Sequence, residues 1–379
     1  VVPISSAPPI TPPEPAPPDP GADSGAALFS PDYITARSRF RAAAHRCGAS
    51  VDTLALAARG PHDEELTIDA AWLGAHDARR VLLHVSGMHG VEAYAGSATQ
   101  LALLAAPPKL PADGALVLVH VLNPYGMAWL RRANEHNVDL NRNFLPDHSS
   151  WTGAPPLYRQ LDALLNPESP PARDGFVLRL GLRGLRHGVR AVRQAIAHGQ
   201  HRYPRGLFYG GSMLQPGSRL FCDWLQTRLA AASKVFAIDL HTGLGPHGGS
   251  TLIAEPGSDS AVEMLATALG QPVHGGATAA AAYTVRGSFG AALPRLLPGA
   301  SLEFVLQEIG TWPPLRVLHA LREENRWHHH GDGRLDHPAK RRIREALCPA
   351  STAWREAAVA QGSDLVYRAA GWLFREDSA

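Results

Sequence analysis

The chain is poor in several features that would fix its class at once. It has only three cysteines in 379 residues, Cys47, Cys222 and Cys348, with no Cys-x-x-Cys pair, which excludes a disulfide framework and a thiolate zinc site. A reducing compartment fits that usage. It contains no uninterrupted apolar run of about 18 residues, and no charged segment leads into an apolar one at the N-terminus, so neither a membrane span nor a secretory leader is expected. The formal net charge is only +2 with histidine neutral, so global charge suggests neither nucleic acid nor a membrane surface as a partner. A Gly-x-Ser-x-Gly elbow is also missing, which counts against a serine hydrolase. Cytoplasmic is the expectation that results. The first residue is Val rather than Met, so an exported protein that has lost its leader stays as the alternative.

What is present begins with proline. Residues 1 to about 28 are dominated by Pro, Ala and Ser, including Pro8-Pro9, Pro12-Pro13 and Pro17-Pro18, and cannot bury enough apolar surface to fold alone. They are expected to be a disordered tail ahead of one domain spanning 29–379. A helix is expected from Tyr33 to Ala44, with Ser30 and Pro31 as cap and first-turn pair. Branched-aliphatic runs at Val81–Ser86, Ala115–Leu122, Val235–Leu240 and Leu302–Glu308 alternate with helical stretches. They read as central strands of a single α/β domain with a mixed, mostly parallel sheet flanked by helices. In such sheets ligands bind beyond the carboxyl ends of the strands.

His89 and Glu92 follow the first of these runs, in Gly87-Met-His-Gly-Val-Glu. A His and a Glu three apart, with the Glu in the first helical turn, can face one point. His62 and Glu65 have the same spacing but lie in a polar loop after Gly60-Pro61, so they are set aside. His241 ends the run from Val235 as His89 ends its own. Two imidazoles, one carboxylate and an open position make a catalytic zinc shell, one ion per chain. Glu308 ends the run from Leu302 and is placed to act as the proton-transferring base. Glu303 has odd separation from it, points to the other face and reads as structural.

The segment from Arg131 to Phe144 adds Asn141 and Arg142, suited to a free carboxylate. An upstream arginine, Arg132 in preference to Arg131, suits an oxyanion. From Leu178, apolar residues at 182, 185, 189 and 192 run opposite Arg179, Arg183, Arg186, Arg190 and Arg193. This predicts one amphipathic helix whose leucines pack on the domain and whose arginines are solvated. Gly243 to Gly248 matches a Gly-x-Gly-x-x-Gly string, but Pro246 argues against the helix a pyrophosphate needs. Helices are also expected around Leu315–Trp327, Lys340–Leu347 and Thr352–Phe374, with His328 to His330 at a solvated end.

These motifs, in this order, resemble the zinc carboxypeptidase superfamily of M14-like metallopeptidases, and more closely its DUF2817 branch. They are Gly87-Met-His-Gly-Val-Glu, Val138-Asp-Leu-Asn-Arg-Asn-Phe, Asp239-Leu-His-Thr-Gly and Glu308-Ile-Gly-Thr. The resemblance implies zinc on His89, Glu92 and His241, a base at Glu308, substrate contacts at Asn141 and Arg142, and an oxyanion group near Arg132. It also implies that Asp139 and Asp239 orient ligand histidines, and that Tyr283, with Arg286 as its rival, closes over the substrate. The implied activity is hydrolysis of an amide bond next to a free carboxylate, in a small peptide or an N-acyl amino acid. Aspartoacylase-type or succinylglutamate-desuccinylase-type deacylation and a non-catalytic binding role are the alternatives.

Overall fold

The structure is a computed structural model that describes residues 24–255, 259–275 and 285–375. Among the described residues eight strands form one sheet: β1 (Ser50–Arg59), β2 (Glu65–Gly74), β3 (Arg80–Ser86), β4 (Gly114–His120), β5 (Lys234–Gly243), β6 (Ser250–Ala254), β7 (Val273–Gly275) and β8 (Ser301–Gly310). Their order across the sheet is β1-β2-β4-β3-β5-β8-β6-β7. The centre, β4-β3-β5-β8, is parallel throughout. Antiparallel pairings of β1 with β2, β2 with β4 and β6 with β8 extend it on both sides. The four expected strands are therefore the four parallel ones.

Those central strands are buried on both faces, which is why they read as continuous apolar runs. Val81, Leu83 and Val85 of β3 face one layer, with Phe221 and Phe289 from the helices Pro216–Arg228 and Phe289–Leu296. Leu82 of β3 and Ile238 of β5 face the other, with Leu103 and Leu365 from the helices Ala93–Ala105 and Thr352–Leu373. The three expected C-terminal helices span Pro314–His330, Pro338–Leu347 and Thr352–Leu373. No helix of the described residues is long and apolar enough to cross a membrane.

Three expectations are corrected. The cap of the first helix, Tyr33–Arg46, is Asp32, whose carboxylate accepts the Thr35 N–H, and not Ser30. Residues 25–28 belong to the folded body, because Arg39 donates to the carbonyls of Ala27 and Leu28; of the proposed tail, residues 1–23 lie outside the described residues. The arginine-striped segment is two helices, Phe176–His187 and Val189–Ala197, broken at Gly188, where φ is 86°. Its leucine stripe is turned to solvent: Leu178, Leu182 and Leu185 are 71%, 57% and 85% exposed, while Phe176, Leu180 and Gly184 make the buried seam.

At β3 the strand ends at Ser86, and the turn that follows presses against the short helix Pro124–Ala128 and the segment after it. A Cβ on Gly90 would lie 1.9 Å from the Gly126 carbonyl carbon, and the amides of Gly90 and Val91 donate to the carbonyls of Arg132 and Arg131. Gly90→Ala must therefore force two backbones apart, at a cost of about 2 kcal/mol. Gly181, with nothing within 4 Å of its would-be Cβ, provides the control. Thermal melts are expected to show a large loss for Gly90→Ala and none for Gly181→Ala.

Candidate metal centre

Adjacent parallel strands bring the expected ligands together. β3, β5 and β8 are neighbours, and His241 pairs in register with Glu308. His89 and Glu92 come from the turn after β3, where the short helical turn Gly90–Glu92 places the carboxylate against the imidazole. All of these side chains are buried.

The donor atoms converge closely. His89 Nδ1 lies 3.0 Å from Glu92 Oε1, His241 Nδ1 lies 3.4 Å from Glu92 Oε2, and the two Nδ1 atoms are 3.1 Å apart. Ligands of a tetrahedral ion with bonds of about 2.1 Å stand about 3.4 Å from one another, so this spacing suits zinc. Behind each ring, Nε2 meets a carboxylate: Asp139 Oδ1 at 3.0 Å from His89 and Asp239 Oδ2 at 2.9 Å from His241. A proton on each Nε2 leaves Nδ1 as the lone-pair donor toward the shared point. The tautomer thus follows from the acids, Asp139 and Asp239, that the resemblance implied.

Charge is concentrated here. Burial disfavours the Glu92 carboxylate, but His89, a hydrogen bond from His241 and Arg132 outweigh it and hold its pKa below the usual range. Asp139 is likewise held well down by Arg132, Arg142 and His89 against the effect of burial. Burial disfavours a charged His241, yet Asp239 and Glu92 hold its pKa well above the ordinary value. Glu308 goes the other way. Burial, with Glu92 adding to it, pushes its pKa up to about 7 despite His241.

The arginines separate into distinct roles. Arg131 turns away, donating to Glu324, Asn137 and Asn325. Arg132 is the one at the cluster, with Nε on Asp139 and Nη1 on Glu92, and its guanidinium 5.3 Å from the Phe208 ring centre. Arg142 is 1% exposed and fastened inward: Nε and Nη2 donate to the Ala197 carbonyl and Nη1 to that of Asn141. To meet a substrate carboxylate it would first have to give up the Ala197 carbonyl. Asn141 is buried, its side-chain oxygen accepting the Phe289 N–H. Tyr283 lies outside the described residues, and Arg286 donates to the Ser150 carbonyl beside a second cavity. The decoy pair His62 and Glu65 is exposed at the β1–β2 turn.

A cavity of about 120 Å³ opens beside the cluster, lined by Arg132, Glu308, Leu244, Phe208, Leu318 and Arg193 among others. The Leu244 N–H donates to Glu308 Oε2 at 3.2 Å. Arg193 was hidden in the arginine stripe, where nothing in the spacing distinguishes it from its neighbours. It is half-buried and has no hydrogen-bonding or ionic partner among the described residues.

The family model described as "Protein of unknown function (DUF2817)" matches residues 29–361. The chain belongs to the DUF2817 family. Comparison of this DUF2817 chain with curated protein sequences gives no match. Among solved structures it is similar to a candidate metallopeptidase from Shewanella amazonensis, 15% identical, covering 84% of this chain and 94% of that one with a TM-score of 0.43. It is similar to carboxypeptidase A from Helicoverpa armigera, 10% identical, covering 91% and 77% with a TM-score of 0.45. It is also similar to the murein-tripeptide amidase MpaA from Escherichia coli O157, 17% identical, covering 75% and 96% with a TM-score of 0.37. These likenesses are distant.

The raised pKa of Glu308 makes a prediction for the metal-free protein. A folded-state pKa of about 7 against an ordinary 4.5 means the folded chain keeps a proton that the unfolded chain has lost, so stability falls as pH rises from about 4.5 to 7. Glu308→Gln removes that cost, which is at most about 3 kcal/mol. In chelator, the variant is expected to melt higher than wild type at pH 8 and close to it at pH 5. Equal melting at both pH values would contradict the raised pKa.

Proposed function

We propose that this DUF2817 chain is a zinc-dependent hydrolase that cleaves an amide bond next to a free carboxylate. The observation that carries this reading is the close convergence of His89 Nδ1, His241 Nδ1 and Glu92, with a carboxylate behind each imidazole and Glu308 beside them. Zinc held there would supply Lewis acidity toward a carbonyl and make water a better acid.

The chain's own groups supply the rest. Glu308, in its carboxylate form, takes a proton from the attacking water, and as the acid passes it to the departing amine. A pKa near neutrality suits a group that must do both. Arg132 keeps Glu92 and Asp139 charged and stands at the cavity wall, where it is the oxyanion-stabilising candidate. Arg193 is placed to receive the substrate carboxylate, since Arg142 is committed to backbone carbonyls. The small cavity, with Phe208, Val317 and Leu318 in its lining, suits a compact substrate with an apolar group.

A hydrolysis screen of the zinc-loaded protein tests the reading. Release of C-terminal residues from short peptides is expected, and turnover of N-acyl amino acids alone would establish the deacylase alternative instead. Glu308→Gln should keep its zinc while turnover falls by about two to four orders of magnitude; loss of metal or full activity would refute its role. Arg193→Gln should raise KM with little change in kcat, while an unchanged KM would return the carboxylate contact to Arg142.

A further inference from the structure

The exposed face of the broken helix pair is unlike the rest of the surface. Helix Phe176–His187 has three faces. Phe176 and Leu180 pack against Tyr158, Leu161 and Leu165. Leu178, Leu182 and Leu185 form a second row, continued by Val189 at 67% exposure after the bend. Arg179, Arg183, Arg186 and Arg190 form a third, and none of the four has an ion-pair partner among the described residues. No Asp or Glu occurs anywhere between Asp174 and Asp223. A row of leucines beside unpaired arginines needs an explanation that solubility does not provide.

The charge pattern selects among occupants. A second copy would bring two arginine rows together with no carboxylate between them, and like charges in apposition oppose that contact. An anionic surface is complementary to both rows at once. Side chains exposed by 57% to 85% project into solvent. A fluid bilayer needs no groove to receive them, whereas a folded partner does. We propose that helices Phe176–His187 and Val189–Ala197 are a docking surface for an anionic lipid bilayer. The leucines enter the boundary between headgroups and acyl chains, and the arginines pair with lipid phosphates. The same second helix contributes Arg193 and Ile196 to the cavity, so docking places the candidate site beside the lipid surface. This reverses the expectation from net charge that no membrane is involved, because the global sum averages away a local cationic stretch.

Flotation of the full chain with vesicles tests it, using phosphatidylcholine alone and phosphatidylcholine mixed with phosphatidylglycerol. Flotation is expected only with the anionic vesicles and is expected to weaken as salt rises. The double variants Leu182→Ser/Leu185→Ser and Arg183→Gln/Arg186→Gln should each lose about tenfold in bound fraction. Both are expected to keep the wild-type melting temperature, since the leucines are exposed and the arginines unpaired. Failure to float, flotation that the leucine variant retains, or a dimer in solution that the leucine variant dissociates would overturn the proposal. The readout is independent of zinc and of hydrolysis.

Discussion

Everything at this site depends on two imidazoles being held with their Nδ1 atoms 3.1 Å apart in a buried pocket. Two lone pairs that close repel unless a cation lies between them. In the metal-free chain a proton can serve, and the raised pKa of His241 gives it a place. The surrounding charge asks for more. Glu92, Asp139, Asp239 and Glu308 are four buried carboxyls, balanced locally by Arg132 and Arg142, so up to two negative charges remain once all four are ionised. A divalent cation held by His89, Glu92 and His241 would neutralise that excess and take the place of the proton. Metal affinity on this view falls with acid, as proton and metal compete for the same nitrogen.

The sheet makes this arrangement possible at modest cost. Successive parallel strands end at the same level, so a residue at the end of each is delivered to one edge without any long loop having to find its place. The register of β5 against β8 puts His241 beside Glu308 directly. Of the three ligands and Glu308, His89 and Glu92 are the two built on a turn, and that turn is fixed by the close approach of Gly90 to Gly126 and by two backbone hydrogen bonds to the Arg131–Arg132 segment. Those bonds also fix Arg132, whose guanidinium ties Glu92 to Asp139. Ligand, orienting acid and arginine are thus one connected unit, with Phe208 beneath the Arg132 and Arg142 guanidiniums.

Strands buried on both faces leave a strong imprint in sequence, and the residues that end them inherit their geometry from the strand. That is why β3, β4, β5 and β8, and with them the strand-end positions of His241 and Glu308, were legible in the sequence. Side-chain direction within a loop leaves no such imprint. Asn141-Arg142 looks like a carboxylate-binding pair, but whether a guanidinium faces a cavity or a backbone carbonyl depends on where Ala197 lies, some fifty residues away. Arg193 was illegible for the same reason. Periodicity has a related blind spot. It showed that Leu178, Leu182 and Leu185 share a helix face, but a helix with two apolar stripes offers both to the core, and only packing chose Phe176 and Leu180.

The most direct measurement is X-ray absorption at the zinc edge of the purified, zinc-loaded protein. One zinc per chain is expected, in a shell of nitrogen and oxygen at about 2.0 to 2.2 Å with the outer-shell signature of two imidazoles, one of which disappears in His241→Ala. A sulfur-containing shell, an imidazole signature that His89→Ala and His241→Ala both leave intact, or failure to hold zinc would contradict a metal centre built from His89, Glu92 and His241.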